Sequence, residues 1–143
     1  MGSVITLTSD FGYMDACVAE MKGVILDINP EARLIDICHT IRPQNITQAA
    51  FILSTAYRYL PKKTIHLVVV DPGVGTQRRA IIVKTIHGTF VAPDNGVLSY
   101  VVQSYLDETV NEQCDYSLKG KTKTGEAMEV PCRLAIPSIS QVV

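Results

Sequence analysis

The chain has 143 residues, 47% of them hydrophobic, enough apolar content for one core and too much for a wholly disordered polypeptide. Its formal net charge of -1 excludes a protein built mainly to grip the phosphate backbone of nucleic acid, and a small-molecule ligand is the expected partner. Four cysteines without CxxC spacing, no bilayer-length apolar run and no basic leader before the first strand predict a reduced, cytoplasmic setting with no membrane contact, zinc site or disulfide framework.

Residues 4–8 are rich in β-branched side chains and lead into Ser9-Asp10-Phe11-Gly12, which predicts a strand followed by a tight loop. Asp15 is placed to cap a helix over 16–28, where Val18, Met21, Val24, Ile25 and Ile28 recur at helical spacing before Asn29-Pro30 stops the run. A second strand is expected over 33–38, with His39-Thr40-Ile41-Arg42-Pro43 as the irregular turn after it. The next helix begins at Asn45 and carries Ile46, Ala49, Ala50, Leu53, Ala56, Tyr57 and Leu60 on one side, closed by Pro61-Lys62-Lys63.

The third strand, 64–70, is almost continuously apolar, as in a parallel sheet covered on both faces. This βαβαβ order implies parallel pairing through right-handed crossovers. Segments 80–85 and 89–92 flank Ile86-His87-Gly88 as a hairpin, Pro93-Asp94-Asn95-Gly96 is a turn, and 97–105 is a short last helix. Beyond Leu106 the stretch from Lys119 to Glu126 is polar with glycines, and extended or poorly packed structure is expected over 106–143. The fold class is therefore α/β, a three-layer sandwich with a mostly parallel sheet and a β-hairpin.

Loops after the first, second and third strands of a parallel sheet open on one edge, which would gather Asp10, Asp15, His39, Asp71 and Arg78 around one cleft. Asp10 and Asp71 read equally well as residues that end strands and satisfy loop amides. The segment Gly73-Val74-Gly75-Thr76 lacks the Gly-Lys-Ser/Thr ending of a phosphate-binding loop and the full GxGxxG pattern. His39 is a proton-transfer candidate on residue type, with hydrogen bonding to backbone as the plainer expectation. His66 and His87 lie away from the inferred edge, and Tyr57 and Tyr59 read as partly buried side chains ending a helix.

Several segments together carry a more specific signal. They are Leu7-Thr8-Ser9-Asp10-Phe11-Gly12 with Asp15, Met21-Lys22-Gly23-Val24-Ile25, and Asp36-Ile37-Cys38-His39 with Pro43. Val70-Asp71-Pro72-Gly73-Val74-Gly75-Thr76 with Arg78-Arg79, and Val91-Ala92-Pro93-Asp94-Asn95-Gly96, complete the series. In this order they resemble the S-adenosyl-L-methionine hydroxide adenosyltransferases, relatives of the fluorinases and chlorinases, from about residue 4 to residue 105.

The resemblance implies hydrolysis of S-adenosyl-L-methionine to adenosine and L-methionine by water attacking ribose C5′, without a cofactor, in a homotrimer. Asp10 is then the carboxylate on the ribose hydroxyls and Asp15 lies near the methionine amino end. Asp71 and Arg78 are two members of an Asp-Arg-His set that activates the water. Halide-using relatives have tyrosine and threonine where this chain has Asp71 and Val74, so a carboxylate here disfavours a halide.

The family's His-Gly-Arg-Asp segment is not found after Tyr105, and no histidine lies beyond His87. The family's β-rich C-terminal domain is not matched either. Residues 1–105 are thus expected to form the family's N-terminal-like domain and 106–143 a divergent tail. A catalytically weak or inactive adenosyl-binding or assembly module is the alternative to the hydrolase. Cys17 and Gln44 also depart from the residues that relatives carry at those positions.

Overall fold

The computed structural model describes residues 2–119, with side chains described as far as Val110. Five strands form one sheet in the order β2-β1-β3-β5-β4. They are β1 (Val4–Ser9), β2 (Arg33–Cys38), β3 (Ile65–Val69), β4 (Ala80–Thr85) and β5 (Gly88–Pro93). Pairings β1–β2, β1–β3 and β3–β5 are parallel, and the β4–β5 hairpin is antiparallel. The α/β class, the mostly parallel sheet and the hairpin are as the residue pattern predicts.

Helices α1 (Cys17–Ile28) and α2 (Ile46–Ala56) connect β1 to β2 and β2 to β3. The first crossover moves from β1 to β2 and the second moves back from β2 across β1 to β3, so right-handed connections that run in opposite directions along the sheet put the two helices on opposite faces. Helix α3 (Ser99–Lys119) returns to pack against α2. On that face Leu53, Tyr57, Val68, Val70, Phe90, Ala92, Val97 and Val101 form the main core, each at most 3% exposed. Fully burying each large side chain there contributes about 1.5–3 kcal/mol.

The helix ends follow local chemistry. Asn45 caps α2, its side-chain oxygen accepting the Gln48 backbone N–H at 2.9 Å. Asp15 stands one residue ahead of the α1 cap and accepts the Cys17 backbone N–H at 3.0 Å. The apolar stripe expected on α1 divides: Val18 is buried and Met21 and Ile25 are half-buried, whereas Val24 and Ile28 are exposed. At about 100° per residue, Val24 and Ile28 lie roughly 80–120° round the helix from Val18.

Two expectations are corrected. Structure after residue 105 is not extended but helical, since α3 runs unbroken to Lys119; expectations for residues 120–143 lie outside the described residues. Tyr57 and Tyr59 do not share an environment. Tyr57 is core, in edge contact with Phe90 and His66, while Tyr59 is 89% exposed at the end of a 3-10 turn.

Candidate functional site

Because β1, β2 and β3 are mutually parallel, the loops that follow them open on one edge of the sheet. The chain leaves β1 toward β2 on one side and leaves β3 toward the β4–β5 hairpin on the other, so the crevice between the β1 and β3 loops is a topological switch point, where open α/β sheets bind ligands. Asp10 follows β1 and Asp71 begins the loop after β3, with Ser9 paired in register to Val69. The two carboxylates therefore flank that crevice.

Asp71 and Arg78 meet directly. Arg78 Nη2 donates to Asp71 Oδ2, and the side chains are only 22% and 9% exposed respectively. The second carboxylate oxygen of Asp71 accepts the Gly73 backbone N–H at 3.1 Å, and Arg78 Nη1 donates to the Arg79 carbonyl. Arg78 Nε is buried without a hydrogen-bond acceptor among the described residues, so one donor of the guanidinium is left unsatisfied beside the ion pair. The seven-residue separation of the pair is closed by the turn at Gly75, which has φ 80°.

That turn is poorly suited to cradle phosphate, because three of its amides are already used: Val74 N–H on the Asp71 carbonyl at 3.2 Å, Thr76 N–H on the Gly73 carbonyl at 3.1 Å and Gly73 N–H on Asp71 itself. Thr76 Oγ1 further closes the loop on the Gly73 carbonyl at 2.7 Å.

Asp10 is held separately, by the loop between β2 and α2. Its Oδ2 accepts the Gln44 backbone N–H at 2.7 Å. Gln44 adopts φ 62°, a left-handed conformation uncommon outside glycine. Asp15 lies further out, exposed at the start of α1, where the Cys17 backbone N–H and then the Cys17 thiol lower its pKa. The reciprocal bond from Asp15 raises the Cys17 thiol pKa, which argues against Cys17 as a nucleophile.

His39 is 1% exposed. Its ring is bonded to a side chain rather than to backbone as the sequence suggested: Nδ1 lies 2.6 Å from Ser9 Oγ. Two site residues were not singled out from sequence. Ser9 is one, and Asn95 is the other, its Nδ2 donating to the Val70 carbonyl at 2.9 Å and so fastening the chain beside Asp71. Asp94 likewise pairs with Arg79 at 3.0 Å. The Pro-Asp-Asn-Gly turn signalled a tight bend, but not that its side chains return to the β3 loop.

With this geometry in view, the sequence profile of the SAM hydroxide adenosyltransferase N-terminal domain matches residues 5–128. The chain belongs to this family. An (R)-S-adenosyl-L-methionine hydrolase of Methanocaldococcus jannaschii is 45% identical over 105 residues, covering 70% of this chain and 40% of that protein. A fluorinase of Nocardia brasiliensis is 26% identical over 125 residues, covering 71% of this chain and 42% of the enzyme. Among solved structures, a Thermotoga maritima protein superposes with TM-score 0.69 at 46% identity, covering 71% of this chain and 40% of its own. The chain thus spans about two fifths of the length of the curated relatives it matches. The SAM hydroxide adenosyltransferase profile extends past Tyr105, the expected end of the resemblance, through and beyond α3.

Proposed function

We propose that this chain carries the adenosyl-handling half of an S-adenosyl-L-methionine hydrolase, which releases adenosine and L-methionine. The observation that carries the reading is the Asp71–Arg78 pair at the rim of β3, across the switch-point crevice from Asp10. The names of relatives at 43–45% identity agree with it.

The chemistry follows from charge. The sulfonium is a good leaving group, because its bond to ribose C5′ breaks with both electrons going to sulfur and leaves neutral methionine thioether. Water is the weak partner, with a pKa of about 15.7 in bulk. Arg78 stabilises the hydroxide character that develops as the water oxygen bonds C5′ and gives up its proton to solvent water, and Asp71 orients the guanidinium and the water. Asp10 accepts hydrogen bonds from the two ribose hydroxyls, a role suited to an acceptor-only group, and fixes C5′ for in-line attack. Asp15 faces the methionine amino group. No cofactor takes part, and the working assembly is a cytoplasmic homotrimer.

The test is incubation with S-adenosyl-L-methionine and chromatographic assay of adenosine, beside Asp71→Ala and Arg78→Ala. Turnover should fall at least about a hundredfold in each variant; undiminished turnover would rule out the assignment. Added fluoride or chloride should give no 5′-halo-adenosine. Sedimentation of the purified chain tests the trimer.

A second reading is favoured by one observation: residues 88–128, inside the stretch that the family profile matches, hold no histidine for the third place in the water-activating set. The chain is then an adenosyl-binding or assembly module with little turnover. Binding of S-adenosyl-L-methionine without adenosine release would select it.

A further inference from the structure

We infer that His39 is a positioning residue for the ribose grip of Asp10, acting through Ser9; the inference rests on the role proposed for Asp10 above. The β1–β2 register shifts between Leu7 and Thr8, so that Leu7 faces Asp36 and Thr8 faces Cys38. One extra residue, Ile37, is accommodated in β2. Such a bulge re-aims the side chains beyond it, and here it advances His39 to the level of Ser9.

The buried ring then bridges two strands. Nδ1 is 2.6 Å from Ser9 Oγ, and Nε2 is 3.2 Å from Asp36 Oδ1 without being aimed squarely at it. Asp36 is held in turn by Lys22 of α1 at 2.6 Å. Burial raises the Asp36 pKa, but the Lys22 hydrogen bond and the nearby His39 ring outweigh it and leave the carboxyl below its ordinary value. A carboxylate beside Nε2 favours the proton there, which makes Nδ1 the acceptor and Ser9 the donor. The edge of the Tyr13 ring completes the surroundings, 5.5 Å away between centroids.

Both amides after Asp10 are tied to this unit. Phe11 N–H donates to Ser9 Oγ at 3.4 Å, and Gly12 N–H donates to the His39 carbonyl at 2.7 Å. The same β2–α2 loop supplies the Gln44 N–H that holds the Asp10 carboxylate. The residues before and after Asp10, and its own side chain, are thus anchored to the segment that His39 begins. His39 does not touch the ligand; it sets where Asp10 presents its oxygens.

The test is NMR titration of the 143-residue chain with adenosine and with 2′,3′-dideoxyadenosine, which lacks the diol. Wild type should favour adenosine at least about tenfold, as bonds to a charged acceptor allow, and Asp10→Ala should bring the ratio near one. His39→Ala should lower the ratio toward that of Asp10→Ala while leaving dideoxyadenosine affinity unchanged. His39→Asn, which returns an acceptor near the Nδ1 position, should restore most of it. Where His39→Ala does not fold, Ser9→Ala reads the same ratio after a smaller change.

A wild-type ratio in folded His39→Ala, or in Ser9→Ala when that is the variant read, overturns the inference and leaves the role of Asp10 standing. Equal loss of both nucleosides marks a merely structural histidine and overturns it too. A ratio near one in wild type removes Asp10 as the ribose ligand, and the proposed hydrolase mechanism with it.

Discussion

Asn95 reaches from the turn after β5 to the carbonyl of Val70, a residue with no exposed surface. Asn95→Ala leaves that carbonyl unpaired and should lower stability by about 1–3 kcal/mol, measured as a shift in urea midpoint. Gln44 offers the opposite case. Its left-handed backbone costs about 1–2 kcal/mol, whereas glycine loses about 0.4–1 kcal/mol through the freedom of the unfolded chain. Gln44→Gly should therefore be no worse than neutral, while the β-branched Gln44→Val should destabilise by at least about 1 kcal/mol, both read by thermal melts. Asp10, Asp71 and Arg78 were legible as residue types at strand ends. Ser9, Asn95 and the conformation of Gln44 were not, because their roles are defined by partners 25 to 34 residues away in sequence.

At the scale of elements, strand and helix order followed from periodicity, since apolar runs of the right length leave few alternatives. The last helix was underestimated. Its exposed polar residues weaken the periodic signal past Leu106, yet no glycine or proline interrupts 97–119, and Gly96 and Gly120 bracket the run. Glu108 on this helix pairs with Arg58 and with His87, the latter at 3.0 Å, clasping α3 to the end of α2 and to the hairpin. Gly88 in the same hairpin has φ 152°, and a Cβ there would lie 2.6 Å from the Thr64 carbonyl and 3.2 Å from the His66 ring. Gly88→Ala should cost about 1–3 kcal/mol through overpacking and disturb the bond from Thr89 N–H to the Thr64 carbonyl, which joins β5 to β3. Denaturant melts of the purified variant check this.

For the whole molecule, acid is the expected weakness. His66 is fully buried, bonded to Thr6 at 2.8 Å and stacked on Phe90, and desolvation lowers its pKa to about 4. The unfolded chain binds that proton more readily, so stability falls as pH drops from about 6.5 toward about 4, by up to about 3 kcal/mol. Glu108, lowered chiefly by its bond to His87, acts in the same direction at lower pH, as protonation removes its charge. Urea midpoints between pH 7 and pH 4 should decline in wild type and decline less in His66→Gln, a variant of lower stability at neutral pH. The sequence alone determined the α/β class, the parallel core and the family resemblance, because burial periodicity and loop motifs are written in neighbouring residues. Tertiary structure decided which polar groups meet, through the bulge before His39, the pairing of Asp71 with Arg78 and the buried bed of His66. Those contacts depend on strand register and loop return across the sheet, which no local stretch of residues encodes.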